Sequence, residues 1–579
     1  MGWEAVFDWS TADMDPTGEA DPRSMGMFSN LLLRTLVQYR HVAGPAGREL
    51  VPDLAVGVPA PTNGGLTYTF RLKRGIRFAP PVNRRIVASD IRYAIERLAR
   101  PRNGAQYPYL FRIIRGFDAY RAGTSSRIAG ITTPTAMTIR FELTRPAADF
   151  LHRLTLPAAA PLPAEVGRCF EGKPKRYGGD LVSSGPYMYE GADTIDIRTC
   201  RSIRPMPGNG YPLVTLVRNP RYDPATDRRD ARESNPDRFV FIVMAGRPAA
   251  AQVYGRLAAG ELEDAILSSS PKVLGKYAEA ARKRERLRVN TMDWLFYLSF
   301  NLTQPPFDDV HVRRAMSLLV GKADLREAWG GPQAGPIARH VIPDSLLGRR
   351  LNDFDPIRTP GDHGSVARAR AEMALSRYRS TGGVCVAAAC KKVWANVACN
   401  DDLICGDIEY AAGQRMMMYL RPLVRQIGIT FGGREAPGND IRIPSFGVAM
   451  TPSGYWRGAY RDPSSFAEAL FAGTSIQARY NPNTSLLGIT PAIASKLGVR
   501  GRLGGVPSVD TDLARCGALS GAPRLDCYAA LDRKLSEEIV AFVPFLWRNR
   551  ITILGPQVAK WAFDESAGTT AWAHVAVRR

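Results

Sequence analysis

No recognisable catalytic signature is carried by these 579 residues. There is no GxSxG elbow, no P-loop, no GxGxxG after a strand and no clustered His/Cys/Asp set. The six histidines stand apart from one another, with no HExxH or other metal spacing. Enzymatic turnover, a bound metal and a cofactor are therefore not expected. No CxxC occurs among the eight cysteines, which argues against zinc and dithiol redox motifs. Long apolar runs are missing as well. The longest, IVAFVPFLW at 539–547, is too short to span a bilayer and contains Pro544. Residues 1–30 also lack the basic start and apolar stretch of a secretory leader; they carry Glu4, Asp8, Asp13, Asp15, Glu19 and Asp21 instead. Internal repeats and low-complexity tracts are absent.

Hydrophobic residues at 45% and charged residues at 23% describe a soluble globular chain, and its length calls for at least two lobes. The formal net charge is +22. A basic balance of this size suits nucleic acid, an anionic envelope or acidic ligands. The charges are scattered, however, and the densest run, ARKRERLR at 281–288, includes Glu285, so a solvated basic surface is expected rather than a nucleic-acid site. The cysteines fall into local groups: Cys169 and Cys200; Cys385, Cys390, Cys399 and Cys405; Cys516 and Cys527. Even numbers with near neighbours point to disulfides and an oxidising compartment. A metal held by the 385–405 group, or free thiols, are the other readings.

Strands and helices alternate along the chain. In GGLTYTFRLKRGIRF (64–78), Leu66, Tyr68, Phe70 and Leu72 share one face, predicting a strand, a turn at Gly75 and a second strand. ASDIRYAIERLAR (88–100) sets Ile91, Ala94, Ile95 and Leu98 on one helical face. AMTIRFELTRPAADFLHRL predicts a strand, a break at Pro146 and a short helix; SGPYMYEG and LVTLVRNPRYDP predict strands. Residues 361–378 and 408–428 predict helices, the second kinked at Pro422, with Ala412, Met416, Leu420 and Leu423 on one side and the run Met416–Met418 in the core. The fold class is thus α/β or α+β.

Several of these blocks, in order, resemble the family 5 extracellular solute-binding proteins of ABC importers, the peptide and nickel group. TYTFRLKRGIRFAPPVNRRIVASDIRYAIERL is similar to that family's strand–turn–helix signature. GFDAYRAGTSSRIAGITTPTAMTIRFELTRPAADFL, SSGPYMYEG, VTLVRNPRYDP, LAAGELEDAIL, YLSFNLTQPPFDDVHVRRAMSLLV, LRPLVRQIGITF and VPFLWRNRITILGPQV follow in family order. The resemblance runs from Asp8 almost to the C-terminus. It implies a two-lobed α/β periplasmic-binding-protein-like fold of the large class II form, with an extra subdomain inserted into the first lobe. The implied division is 1–52 first part of lobe I, 53–180 inserted subdomain, 181–280 second part of lobe I, 281–545 lobe II and 546–579 a return to lobe I. It also implies capture of a peptide or peptide-like ligand, delivery to ABC transporter permease subunits, an extracytoplasmic location in the periplasm or at the cell surface, and a monomer. A signal or lipid anchor would then be missing from this chain, since the first cysteine is Cys169. Contact with a membrane would run only through the transporter or that missing anchor. The alternatives are an envelope receptor or scaffold without a transport role, and a binder of a non-peptide anionic solute.

GYWRGAYRDPSSFAEALF (454–471) is the candidate ligand wall. The family's segment there is approximately Trp-Gly-Ala-Asp-Tyr-Pro-Asp-Pro; Trp456, Tyr460, Asp462 and Pro463 match it. Arg457 and Gly458 stand where small residues are usual, Arg461 replaces the Pro, and Ala459 replaces the first Asp. In peptide-binding members that Asp pairs with the ligand's α-ammonium. An amine enclosed without a partner costs about 3–5 kcal/mol, so a ligand lacking a free amino terminus, or an anionic one, is expected. Trp456 and Tyr460 are expected to give apolar area with a polar handle, and Arg457 and Arg461 to clamp a carboxylate or phosphate. Asp462, followed by Pro463, reads as a helix start or a ligand contact. Tyr297, Asn301 and Met14 complete the candidate set, with Asn301 equally suited to a turn.

Overall fold

A computed structural model describes residues 2–7, 15–18, 22–105, 108–173, 176–201, 213–243, 250–266, 279–282, 285–397, 407–432, 442–478 and 481–578. Its frame is an eight-stranded mixed sheet with the order Met450–Arg457, Leu287–Phe300, Phe542–Leu554, Asp264–Ile266, Gly2–Phe7, Arg238–Val243, Leu213–Arg218, Tyr187–Tyr189. The two long strands are antiparallel, pairing from Leu287↔Ile553 to Ser299↔Phe542. At one end they pair with Asp264–Ile266, at the other with Met450–Arg457. Register slips between Thr291 and Leu295, so residues 292–294 bulge where the sheet passes from one core to the other.

Two large hydrophobic cores lie on either side of that passage. The first draws on residues from Met25 to Phe241 and on Trp572 and Val575 from the chain's end. The second runs from Leu295 to Trp547. A three-stranded antiparallel sheet, Thr67–Arg71, Thr138–Glu142 and Ile131–Thr135, packs into the first core with helix Ala88–Ala99. Ile91, Ala94, Ile95 and Leu98 of that helix are buried, as the 3.6-residue period predicts. Asp90 in its first turn accepts the Val87 N–H at 2.9 Å and binds Arg84. Helix Val310–Leu319 starts on Asp309, whose carboxylate accepts the His311 N–H at 2.8 Å.

Three local expectations change. The second strand after Gly75 shrinks to a single bridge between Arg77 and Arg85. The helix expected at 361–378 covers only Val366–Ala374, because Gly361 sits at φ +63° and Ser365 begins the helix by accepting the Arg368 N–H. The expected 408–428 helix forms as Asp407–Arg425 with Pro422 inside it, and the change concerns its methionines. In it Met416 is buried but Met418 is 71% exposed, so the methionine run is not all core. Three consecutive helical residues sweep about 200°, wider than one buried face.

Disulfides join Cys169 to Cys200, Cys385 to Cys390 and Cys516 to Cys527. Cys399 and Cys405 lie outside the described residues. Among the described residues no helix is long and apolar enough to cross a membrane, and no group of three or more His, Cys, Asp or Glu could hold a metal ion.

Candidate ligand-binding cleft

Strand Met450–Arg457 is the edge of the sheet, with Leu295 opposite Trp456, Phe296 opposite Tyr455 and Trp294 opposite Arg457. Alternation then divides the side chains. Trp456, 8% exposed, joins the second core, and its indole N–H donates to the Ser465 carbonyl at 3.0 Å. Tyr455 and Arg457 share the other face with Trp294 and Phe296. There Tyr455 meets Trp294 edge-on at 5.8 Å, and the Arg548 guanidinium lies 5.0 Å from the Trp294 ring. Arg442 lies 5.7 Å from the Tyr455 ring. The sequence alone does not show this cation–aromatic face, which is half-buried at Tyr455 and Trp294 and closed by the buried Phe296. Period-two alternation through Tyr455, Trp456 and Arg457 was the signal that separates it from Trp456.

The chain then leaves the second core. At Gly458 a Cβ would come within 2.8 Å of the Phe466 ring, so only glycine lets the backbone pass this closely. Ala459 packs against the first core, and Tyr460, 2% exposed, is embedded in it. The Tyr460 hydroxyl donates to Asp149 at 2.7 Å, and the Ser464 hydroxyl donates to the same carboxylate oxygen at 2.7 Å. Arg153 holds that carboxylate with two N–H groups, at 2.9 and 2.6 Å, and reaches Glu468 at 2.8 Å. Burial pushes the Asp149 pKa up, but Arg153, Arg524 and the two hydroxyls outweigh it and hold the carboxyl well below its usual range.

Arg461 sits beside this junction. Its backbone N–H donates to the Tyr39 hydroxyl at 3.0 Å. Its guanidinium pairs with Asp293, inside the bulge of the long strand, at 2.5 Å and with Glu565 at 3.1 Å. Burial raises the Glu565 pKa; Arg461 opposes this and Asp293 adds to it. Arg457 donates to the Ala567 carbonyl at 3.2 Å. Asp462 takes the helix-start role: its carboxylate accepts the Ser464 N–H at 2.9 Å, ahead of helix Ser464–Phe471, and is gripped by Arg524 at 2.7 and 3.2 Å. Tyr297 is buried against Phe542, with rings stacked at 4.1 Å, which pushes its hydroxyl pKa up. Asn301 is the turn residue: its side-chain oxygen accepts from the Thr303 N–H at 3.0 Å while its amide donates to Val448. Met14 lies outside the described residues. The segment thus brings Arg457, Tyr460, Arg461 and Asp462 to the boundary of the two cores, whereas Trp456, Tyr297 and Asn301 remain within the second.

Two cavities of about 370 Å³ each open along this boundary. One is lined by Arg48 and Glu565 from the side of the first core and by Asp293, His340, Phe354 and Trp547 from the second. The other is lined by Tyr109, Arg145 and Arg153 facing Glu468, Ser475 and Asp510. Both fall in the range of small-molecule pockets. The five carboxylates in and around the segment are all paired with arginine: Asp149 and Glu468 with Arg153, Asp462 with Arg524, Asp293 and Glu565 with Arg461.

Residues 49–478 match the family described as bacterial extracellular solute-binding proteins, family 5 Middle. The dipeptide-binding protein of Escherichia coli (strain K12) is 26% identical over 315 residues, 52% of this chain and 51% of that protein. The chain spans about half the length of the curated relatives it matches. Among solved structures, the clavulanic acid biosynthesis oligopeptide binding protein 2 aligns over 100% of this chain and 96% of its own, with TM-score 0.77 and 23% identity. The murein tripeptide binding protein of Escherichia coli aligns over 100% and 99%, with TM-score 0.69 and 18% identity. At these identities the two likenesses establish the two-lobed α/β fold.

Proposed function

The chain belongs to the bacterial extracellular solute-binding proteins, family 5, and from that membership we propose that it captures a peptide or peptide-like ligand between its two lobes and delivers it to the permease subunits of an ABC importer. The division into 1–52, 53–180, 181–280, 281–545 and 546–579 belongs to the same proposal, as do the location outside the cytoplasm and the monomeric state. The separation of the two cores, with Trp572 and Val575 returning to the first, supports the division.

One observation carries the binding reading: a single segment leaves the sheet of one lobe at Arg457 and docks on the other through Tyr460 and Arg461, and a cavity borders this junction at Asp293 and Glu565, the partners of Arg461. Closure of two halves around such space excludes water from a ligand, which strengthens every polar contact made to it. The 26% identical dipeptide-binding protein supports a peptide as the ligand class. At position 459 alanine provides no acid for an α-ammonium, and the carboxylates nearby are neutralised by arginines. This supports a ligand whose amino terminus is blocked or absent. A purely anionic solute is less well supported, because Arg461 already carries two carboxylates.

Thermal-shift titration with matched free and N-acetylated peptides tests both parts. A ligand at a hundredfold excess over Kd stabilises by about 2.7 kcal/mol. Stabilisation by the acetylated series at equal or lower concentration is expected. Stabilisation by the free-amine series alone overturns the blocked-terminus clause, and no response to either series, with no small molecule retained in native mass spectrometry, overturns peptide capture.

A further inference from the structure

We infer that the closed arrangement is held by a latch belonging to the protein itself, in which Asp149 and Arg153 of the first lobe receive Tyr460, Ser464 and Glu468 of the second. The inference rests on the two-lobe capture reading and adds how the closed form is maintained.

The spacing makes the contact possible. Asp149 and Arg153 are four residues apart across the short helix Phe150–Arg153, so their side chains meet on one face. Ser464 and Glu468 are likewise four apart on helix Ser464–Phe471 and face the same way, with Tyr460 preceding them. Each face therefore presents complementary groups. Two hydroxyls point at one carboxylate oxygen, and one carboxylate points at the guanidinium that grips the first. Arg145 adds a weaker contact to Glu468 at 3.3 Å, and the Ala148 N–H donates to the Gly517 carbonyl at 3.3 Å.

The pair is also matched to a movement. Asp149 and Arg153 belong to the same lobe, so parting the lobes leaves them paired and strands no buried charge. What parting removes is the two hydroxyl donors and the Arg153–Glu468 bond. Bonds of this charge-assisted kind are the strong ones among hydrogen bonds, and each shifts a two-state equilibrium by about tenfold. Tyr460 adds shape to charge, because its ring fills a site in the first core that opening would empty. On this account Asp149 is a positioning residue: it fixes where the segment carrying Arg457, Ala459 and Arg461 comes to rest.

Small-angle X-ray scattering of the purified protein without added ligand, compared with Glu468→Gln and Tyr460→Phe, tests the latch. Tyr460→Phe keeps the ring and removes only the hydroxyl, so circular dichroism and melting should show an intact fold. A compact wild type is expected, with the closed-to-open ratio falling about tenfold in each variant and the radius of gyration rising accordingly. An open wild type overturns the latch, and so does scattering that is the same in all three proteins. These outcomes are independent of any ligand, whereas failure of peptide capture appears only in the titrations.

Discussion

The chain joins its two cores at neighbouring places along one segment, and the two joints differ in how dry their centres are. At Tyr460 to Glu468 the central pair, Asp149 and Arg153, exposes 1% and 2% of its side chains and bonds directly to residues of the second core, and only its outer bond, Arg153 to Glu468, borders a cavity. At Arg461 the partners Asp293 and Glu565 line a cavity of about 370 Å³, next to the point where the long strands lose register. A dry joint made in one geometry resists partial separation, because each lost bond leaves a polar group unsatisfied. A joint beside a cavity can re-form through water at small cost. Rigidity and adjustability are thus placed within a few residues of each other.

Removing Arg524 should have the largest effect on stability. Arg524 and Asp462 lie on the same side of the junction, so no lobe movement parts them, and Arg524→Ala leaves a buried aspartate unpaired. A loss of about 3–5 kcal/mol in urea denaturation is expected. A loss as small as that of an exposed pair would show that the dry joint is wetter than its burial implies.

The cavity side should respond to pH through His340. Its ring lies between Asp344 and Asp532, at 3.4 and 3.1 Å. Burial pushes its pKa down, but the two carboxylates prevail and it is raised from 6.5 to about 9. The folded value exceeds the unfolded one, so this stabilisation is fully present below pH 6.5 and is lost as pH rises through 9. About 3 kcal/mol is at stake across that window. Melting curves from pH 6 to pH 10 should show the slope in the wild type and a flatter profile in His340→Gln.

Arg461→Ala should cost less, about 1–2 kcal/mol, because Ser345 still donates to Asp293, Arg48 still reaches Glu565 and water can enter from the cavity. Added salt should narrow the gap between this variant and the wild type, whereas Arg524→Ala should be insensitive to it. Equal salt responses would remove the distinction between the joints. Met418→Lys is the control: on an exposed site away from both joints it should change stability by less than about 0.5 kcal/mol.

How much of this was legible beforehand varies with the range of the interaction. Helix Ala88–Ala99 and the start at Asp462 could be read directly, because caps and periodicity involve residues within one turn of each other. Tyr455 was hidden by its neighbours: the alternation was visible, but which face met Trp294 and Arg548 depended on the partner strand. Nothing in the sequence sets Asp149 and Arg153 apart. A four-residue Asp–Arg pair is an ordinary helical ion pair until a tyrosine 311 residues away donates to it.

By itself the sequence determined the mixed α/β class, the family, and the absence of an acid at Ala459, since each of these follows from local pattern or from residue identity. Tertiary structure alone decided that Tyr460 sits in the first core, that Arg461 is shared between Asp293 and Glu565, and that Asp462 belongs to Arg524. The physical reason is that a charged side chain takes its role from the partners that replace its water, and those partners come from segments far away along the chain.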